Sequence, residues 1–232
     1  MDMKFFALAL SCLLILSTPA KASEAETFIA MVALANKGDA EAQYHVGMMH
    51  NNGIGTPRDI GQAFEWFKKA TASNDPLGAY KLGCYYDGQG ADVVATDANE
   101  ALKYKLVAAK AGYALAQHDV ALLYARQENP EEAAKWWKMA ADQGYPRALY
   151  NLSGSYFQGK GVPKDLALAY AYYKLSNLVP RDKVAGMATI LSREELERAE
   201  KLVAEWKPQP TALTLKAKRG VQAAEELLKN SR

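Results

Sequence analysis

The sequence predicts an all-α solenoid of antiparallel helix pairs. Three observations predict it: a segment pair that recurs four times, a helix-start signal at one offset in every copy, and small residues where paired helices must touch. The first segment of the pair runs Ala42–His50, Gly78–Tyr86, Ala116–Tyr124 and Ala148–Tyr156, with starts 36, 38 and 32 residues apart. A repeat in this range marks a stack of identical supersecondary units.

The second segment follows in each copy: Ala63–Ala70, Ala101–Ala108, Ala133–Ala140 and Ala169–Ser176. Each opens on Ala, places an aromatic three residues later (Trp66, Tyr104, Trp136, Tyr172) and closes on a second small residue at seven. That spacing is one face of an α-helix. The two segments are called the A helix and the B helix. Asp59, Asp97, Asn129 and Asp165 each stand four residues before the first Ala of a B helix. Asp and Asn cap helices because the side chain accepts a backbone N–H left free in the first turn. Gln62, Glu100 and Glu132, three residues past the cap, predict capping boxes in three copies.

The glycine pairs Gly53/Gly55, Gly88/Gly90 and Gly159/Gly161 let the chain leave the A helix and turn back. Copy three uses a five-residue step from Tyr124 to Asn129 instead. Gly47, Gly83, Ala121 and Ser153 share one A-helix position, and the paired alanines of the B helix are expected to face them. Burying one B-helix aromatic contributes about 2–3 kcal/mol. No copy hides its apolar face alone, so neighbours must stack.

The flanks complete the division of the chain. Residues 1–22 read as a signal peptide and residues 23–38 as an N-terminal capping helix, an unpaired B helix from Glu24 to Lys37. The four repeats occupy 39–178 and a C-terminal capping region 179–206, where Ser192–Glu195 is a capping box opening a helix through Trp206. Pro208 and Pro210 stop that helix. Residues 207–232 read as a polar tail with one short helix from Val221 to Lys229, and the basic cluster Lys216, Lys218 and Arg219 reads as solvated.

These residues resemble the Sel1-like repeat family, relatives of the tetratricopeptide repeat. The likeness rests on Gly159-Lys160-Gly161-Val162-Pro163-Lys164-Asp165 in copy four, Gly53-Ile54-Gly55-Thr56-Pro57-Arg58-Asp59 in copy one, and Ala140-Ala141-Asp142-Gln143-Gly144 closing copy three. It covers about residues 39–178. Copy three departs by lacking the glycine loop, copy two by a two-residue insertion, and copy four by ending Asn177-Leu178-Val179-Pro180. The resemblance implies a right-handed solenoid whose A helices line a groove that receives a protein or peptide. By that analogy the groove-facing residues are Tyr44, Met48, Tyr80, Cys84, Asp87, His118, Leu122, Tyr150 and Phe157, with Asn51 and Gly154 completing the rows; the alternative is that the Tyr column is packing buried between repeats. A cell-wall polysaccharide is the alternative occupant, since tyrosines offer an apolar face and a polar tip.

Little points to catalysis, and neither a cofactor nor a catalytic residue is expected. H-E-x-x-H, C-x-x-C, G-x-S-x-G and a P-loop are all missing. His45 and His50 are five apart, so they do not share a face as an i, i+4 metal pair would. His50 stands where other copies carry Tyr, which makes it most simply a packed ring, and His118 takes the position of Tyr44, Tyr80 and Tyr150. Some cysteine-rich relatives are linked to β-lactam binding, but their paired cysteines and any S-x-x-K are missing here, so an envelope hydrolase is the least favoured reading. The net charge is +2 with both signs interspersed, which gives no electrostatic case for nucleic acid.

Lys4, the apolar run Phe5–Leu16 and the A-x-A site Ala20-Lys21-Ala22 describe a cleavable export signal. The run is too short for a permanent membrane anchor. The expected destination is the periplasm or the medium. Cys12 leaves with the signal, so Cys84 has no internal disulfide partner. It is either a packed apolar residue or a site for an intermolecular bond, and packing is favoured. N-terminal sequencing of the exported protein should begin at Ser23; a mature chain that keeps residues 1–22 would refute the signal.

Overall fold

The computed structural model describes residues 23–231; the expected signal, 1–22, and Arg232 lie outside the described residues. Thirteen α-helices are found among them: α1 (Glu24–Asn36), α2 (Ala40–Asn52), α3 (Ile60–Ala72), α4 (Pro76–Cys84), α5 (Ala98–Lys110), α6 (Ala114–Arg126), α7 (Pro130–Asp142), α8 (Pro146–Gln158), α9 (Leu166–Ser176), α10 (Arg181–Ala188), α11 (Arg193–Glu205), α12 (Ala212–Arg219) and α13 (Val221–Asn230). Helices pack in consecutive pairs, α2 with α3, α4 with α5, α6 with α7 and α8 with α9, and each pair then packs on the next. The result is an all-α solenoid.

Local chemistry sets the helix starts. Asp59, Asp97, Asn129 and Asp165 each accept a backbone N–H from the first turn of α3, α5, α7 and α9. The expected reciprocal half of the box does not form at Gln62 of α3, nor at Glu100 and Glu132. Their carboxylates instead take Lys103 Nζ at 3.0 Å and Lys135 Nζ at 3.1 Å, one turn further along. An exposed lysine one turn ahead offers the carboxylate a charged donor in place of a neutral N–H. Complete capping boxes open α1, at Ser23 and Glu26, and α11, at Ser192 and Glu195.

The stack is held by alanine. Ala63, Ala70, Ala101, Ala108, Ala133 and Ala140 are fully buried. The core clusters cross repeat boundaries: one joins Tyr80 and Cys84 to Val120, Ala121 and Trp136, and the next joins Ala140 and Ala141 to Leu149, Leu152 and Tyr172. The small A-helix position faces a different partner from the one expected. A Cβ at Gly47 would lie 2.6 Å from the Phe67 ring, and one at Gly83 would lie 2.8 Å from Lys105 Cγ. The contact is with the residue after the B-helix aromatic, not with the paired alanines alone.

The second glycine of the loop is where neighbouring units touch. Gly55 lies against the backbone of Glu24 in α1, and Gly161 lies against Pro130 at the start of α7. Thus α1 stands to the first repeat as α7 stands to the fourth, the place of a B helix. In copy two the inserted residues widen the end of α4 into a π-helical turn, Tyr85–Gln89, with Gly88 at φ 106°. At the far end α11 packs on α9 around Ala167, Tyr170, Ala171 and Ala199.

Residues 207–231 are not the solvated tail expected from their polarity. They run back along the edge where each B helix hands over to the next A helix. Gln209 N donates to Asp142 O at 2.8 Å, and Thr211 Oγ1 donates to Gly112 O at 2.8 Å. Buried Thr214 accepts from Ala114 N at 3.0 Å and donates to Gln143 Oε1 at 2.7 Å. Lys216 of the basic cluster pairs with Glu41 at 2.6 Å, and Arg219 pairs with Glu226. Finally α13 sets Ala224 against the cluster of Met31, Ala35 and Val46 on α1 and α2. Side-chain partners that recur at successive repeats explain how so polar a segment is held.

No helix of the described residues is long and apolar enough to cross a membrane. Two glycine substitutions should move stability in opposite directions. Gly161→Ala adds a methyl against the Pro130 carbonyl at φ 76°, and should cost about 2 kcal/mol or more in a denaturant titration. Gly154→Ala meets nothing within 4 Å inside a helix, and should add up to about 1 kcal/mol.

Candidate functional site

The nine candidate groove residues divide by burial. Tyr80, Cys84 and His118 are 9%, 2% and 4% exposed, so they are not a surface for a partner. Each has an internal neighbour instead. The Tyr80 ring meets Tyr113 edge-on at 5.1 Å, and His118 meets Tyr145 at 5.0 Å. Burial also pushes the Cys84 thiol above its usual pKa and lowers that of His118. The intermolecular disulfide considered for Cys84 is therefore disfavoured: its sulfur is inside and poorly ionised. Tyr44, Met48 and Leu122 are half-buried. The accessible members are Asp87, Tyr150 and Phe157.

Two distinct places result. At the middle of the stack a polar knot fills the groove. Lys105 of α5 is buried, with its side chain only 3% exposed, and sits 2.5 Å from Asp87 Oδ2 and 3.2 Å from Asp119 Oδ2. Tyr80 Oη donates to Asp119 at 3.1 Å, and Arg126 lies 3.6 Å from the other Asp87 oxygen. The π turn after α4 delivers Asp87 to this knot. Burial by itself would lower the Lys105 pKa, but Asp119 and Asp87 outweigh it and hold the ammonium above the ordinary lysine value. The two carboxylates and two cations balance, so the knot offers no unpaired charge to an ion.

The sequence reading missed Lys105. Its signal was available: Lys105 occupies the column held by Phe67, Trp137 and Tyr173 in the other copies. A charge in an aromatic column needs partners, and Asp119, in a column that varies between copies, was one of them.

At the end of the stack the groove opens into a cleft of about 570 Å³ over α8. Tyr150 and Phe157, 46% and 41% exposed, form its floor with Gly154. Trp137 and Tyr173 line it from α7 and α9, and Met187 and Ile190 from the C-terminal region. The Tyr150 and Tyr173 rings lie 6.0 Å apart, and Lys160 adds a cation at the rim. Asn151, Ser155 and Gln158 supply hydrogen-bonding groups. An apolar floor with a few polar groups around it suits binding more than reaction. Among the described residues, no group of three or more His, Cys, Asp or Glu is placed to hold a metal ion.

A stack of helix pairs with a cleft on its A-helix wall defines a repeat scaffold. The chain belongs to the Sel1 repeat family: the Sel1 repeat matches residues 40–75, 76–113, 114–145 and 146–177. It is similar to a sel1-like repeat-containing protein of Acanthamoeba polyphaga mimivirus, 31% identical over 134 residues, which is 57% of this chain and 24% of that protein. It is also similar to the DAP3-binding cell death enhancer 1 of Rattus norvegicus, 28% identical over 144 residues, 61% of this chain and 28% of the relative. The matched stretch thus spans about a quarter of the length of these curated relatives. Among solved structures, a Sel1 repeat protein from Oxalobacter formigenes shares the fold with a TM-score of 0.61 and 24% identity, over 88% of this chain and 80% of that one.

Replacing Lys105 with Met should leave Asp87 and Asp119 without their buried cation. The loss should be about 2 kcal/mol, less than for a fully buried pair because both carboxylates reach solvent. A folded-state pKa above the ordinary value stabilises below about pH 10.4 and is lost as pH rises through the folded value. The gap between Lys105→Met and the parent chain should therefore hold through neutral pH and narrow above about pH 10.4. Urea titrations at pH 7 and 11 check this.

Proposed function

We propose that this chain is a non-catalytic scaffold of the bacterial envelope that holds a protein partner in the cleft over α8. The exposed aromatic floor of that cleft carries the reading: Tyr150 and Phe157 keep apolar faces in water within one concave site, and it is clustered exposed aromatics, not single ones, that mark a binding surface. Membership of the Sel1 repeat family supports it, as does the likeness to the rat DAP3-binding cell death enhancer 1, by its name a protein that binds another. The export half of the reading rests on the signal pattern in residues 1–22.

A cell-wall polymer is the second reading. The Tyr150 and Tyr173 rings, with Asn151 and Gln158 close by, offer the flat faces and hydrogen-bonding groups that a sugar would use. Photo-crosslinking from position 157 in intact cells should capture a discrete protein band, and Gly154→Trp should remove it. Capture of nothing, together with sedimentation on purified cell-wall polymer, would transfer the reading to the polysaccharide.

A further inference from the structure

The first and fourth repeats can be superposed in sequence at a shift of 106 residues: Gly53, Gly55 and Asp59 become Gly159, Gly161 and Asp165. The same shift relates the two cavities on the A-helix wall. On α2, residues Tyr44, His45, Met48, Met49 and Asn52 line a small pocket of about 190 Å³. On α8, the corresponding Tyr150, Asn151, Gly154, Ser155 and Gln158 line the large cleft. One wall is therefore presented twice by this chain, at its two ends.

At the first end the wall is covered. Gly220, Val221, Ala224 and Glu225 at the start of α13 form the other side of the α2 pocket. Ala224, Leu227 and Leu228 enter the apolar cluster with Met31, Val46 and Met49. A ten-residue amphipathic helix with small and aliphatic side chains inward is what the wall accepts there. At the last end, among the described residues, α10 packs on α9 and borders the cleft through Met187 without lying along the wall as α13 does, and two changes enlarge the space: Gly154 replaces Met48, and Ser155 replaces Met49. A third change alters the charge. Lys160 stands where the α2 pocket has Ile54.

We infer that the cleft over α8 receives a short amphipathic helix of a partner protein, with an aliphatic stripe on Tyr150, Gly154 and Phe157 and an acidic residue facing Lys160. The inference deepens the scaffold reading and rests on it. The partner helix carries larger side chains than α13, because Gly154 and Ser155 leave the room that Met48 and Met49 fill at the other end. Its acidic residue corresponds in place to Glu225, which borders the α2 pocket.

The test uses the full chain with its own α13 in place and a fluorescent peptide of residues 220–231 carrying Ala224→Leu, which supplies the larger inward side chain the α8 wall has room for, stapled to hold it helical because so short a helix is marginal in water. A charge-reversed peptide, Glu225→Lys with Glu226→Lys, is the control. Fluorescence anisotropy should show binding of the first peptide and at least tenfold weaker binding of the second. Gly154→Trp, whose Cβ meets nothing within 4 Å, should abolish binding with an unchanged circular dichroism spectrum. Lys160→Glu should weaken the first peptide and improve the charge-reversed one. No binding to the parent chain overturns the inference, as does binding that Gly154→Trp leaves unchanged, which would put the peptide elsewhere, such as on α2 in exchange for α13. If photo-crosslinking from position 157 still captures a protein while the peptide fails, the helical partner falls and the scaffold reading stands.

Discussion

The stack depends on alanines buried where helices meet. Each B helix buries an alanine at its first small position, and three of the four bury another seven residues on, with Ser176 in that place in copy four. This lets axes approach closely enough for Trp136 or Tyr172 to reach a cluster shared with the neighbouring repeat. A larger side chain at any of these positions would push two helices apart along their whole length, because helices are rigid and interiors are close-packed. The aromatic anchors contribute the larger transfer free energy, but they do so only because the alanines set the spacing first.

How much was legible follows from how local each signal is. The helix caps were readable because an Asp and the amide it serves are three residues apart, and four copies repeat the offset. Pairing of helices was readable because each repeat states it again. The groove was readable as a set of columns but not as a surface. A column of Tyr44, Tyr80, His118 and Tyr150 says nothing of what covers each ring. In fact Tyr113 and Tyr145, which precede the A helices, shelter two of them and leave Tyr150 open. The Lys105 knot needed a comparison across columns: its partners Asp87 and Asp119 lie 18 residues before it and 14 residues after it.

The course of residues 207–231 was illegible for a different reason. Its composition is that of a tail, and its partners lie a long way off in sequence, a hundred residues for Ala114 N on Thr214 and 175 for Glu41 on Lys216. Nothing in the segment marks those contacts, since Thr and Gln serve equally well in water. The decisive residue is Gln143, at the end of copy three. Its amide donates to Gly112 O and Gln117 Oε1 and accepts from Thr211 N and Thr214 Oγ1. A side chain that uses every donor and acceptor it has, in a buried place, specifies one route for the chain that crosses it.

That return path gives the array a fixed length. Open repeat stacks tolerate gain or loss of a unit, since each contacts only its neighbours. Here the final helix must travel from the fourth unit to the first and arrive in register with Glu41 and Met31. An extra unit would leave it short, and a missing one would leave slack. The C-terminal segment acts as a ruler that counts four hairpins, and evolution by simple duplication is closed to this chain unless the ruler grows with it.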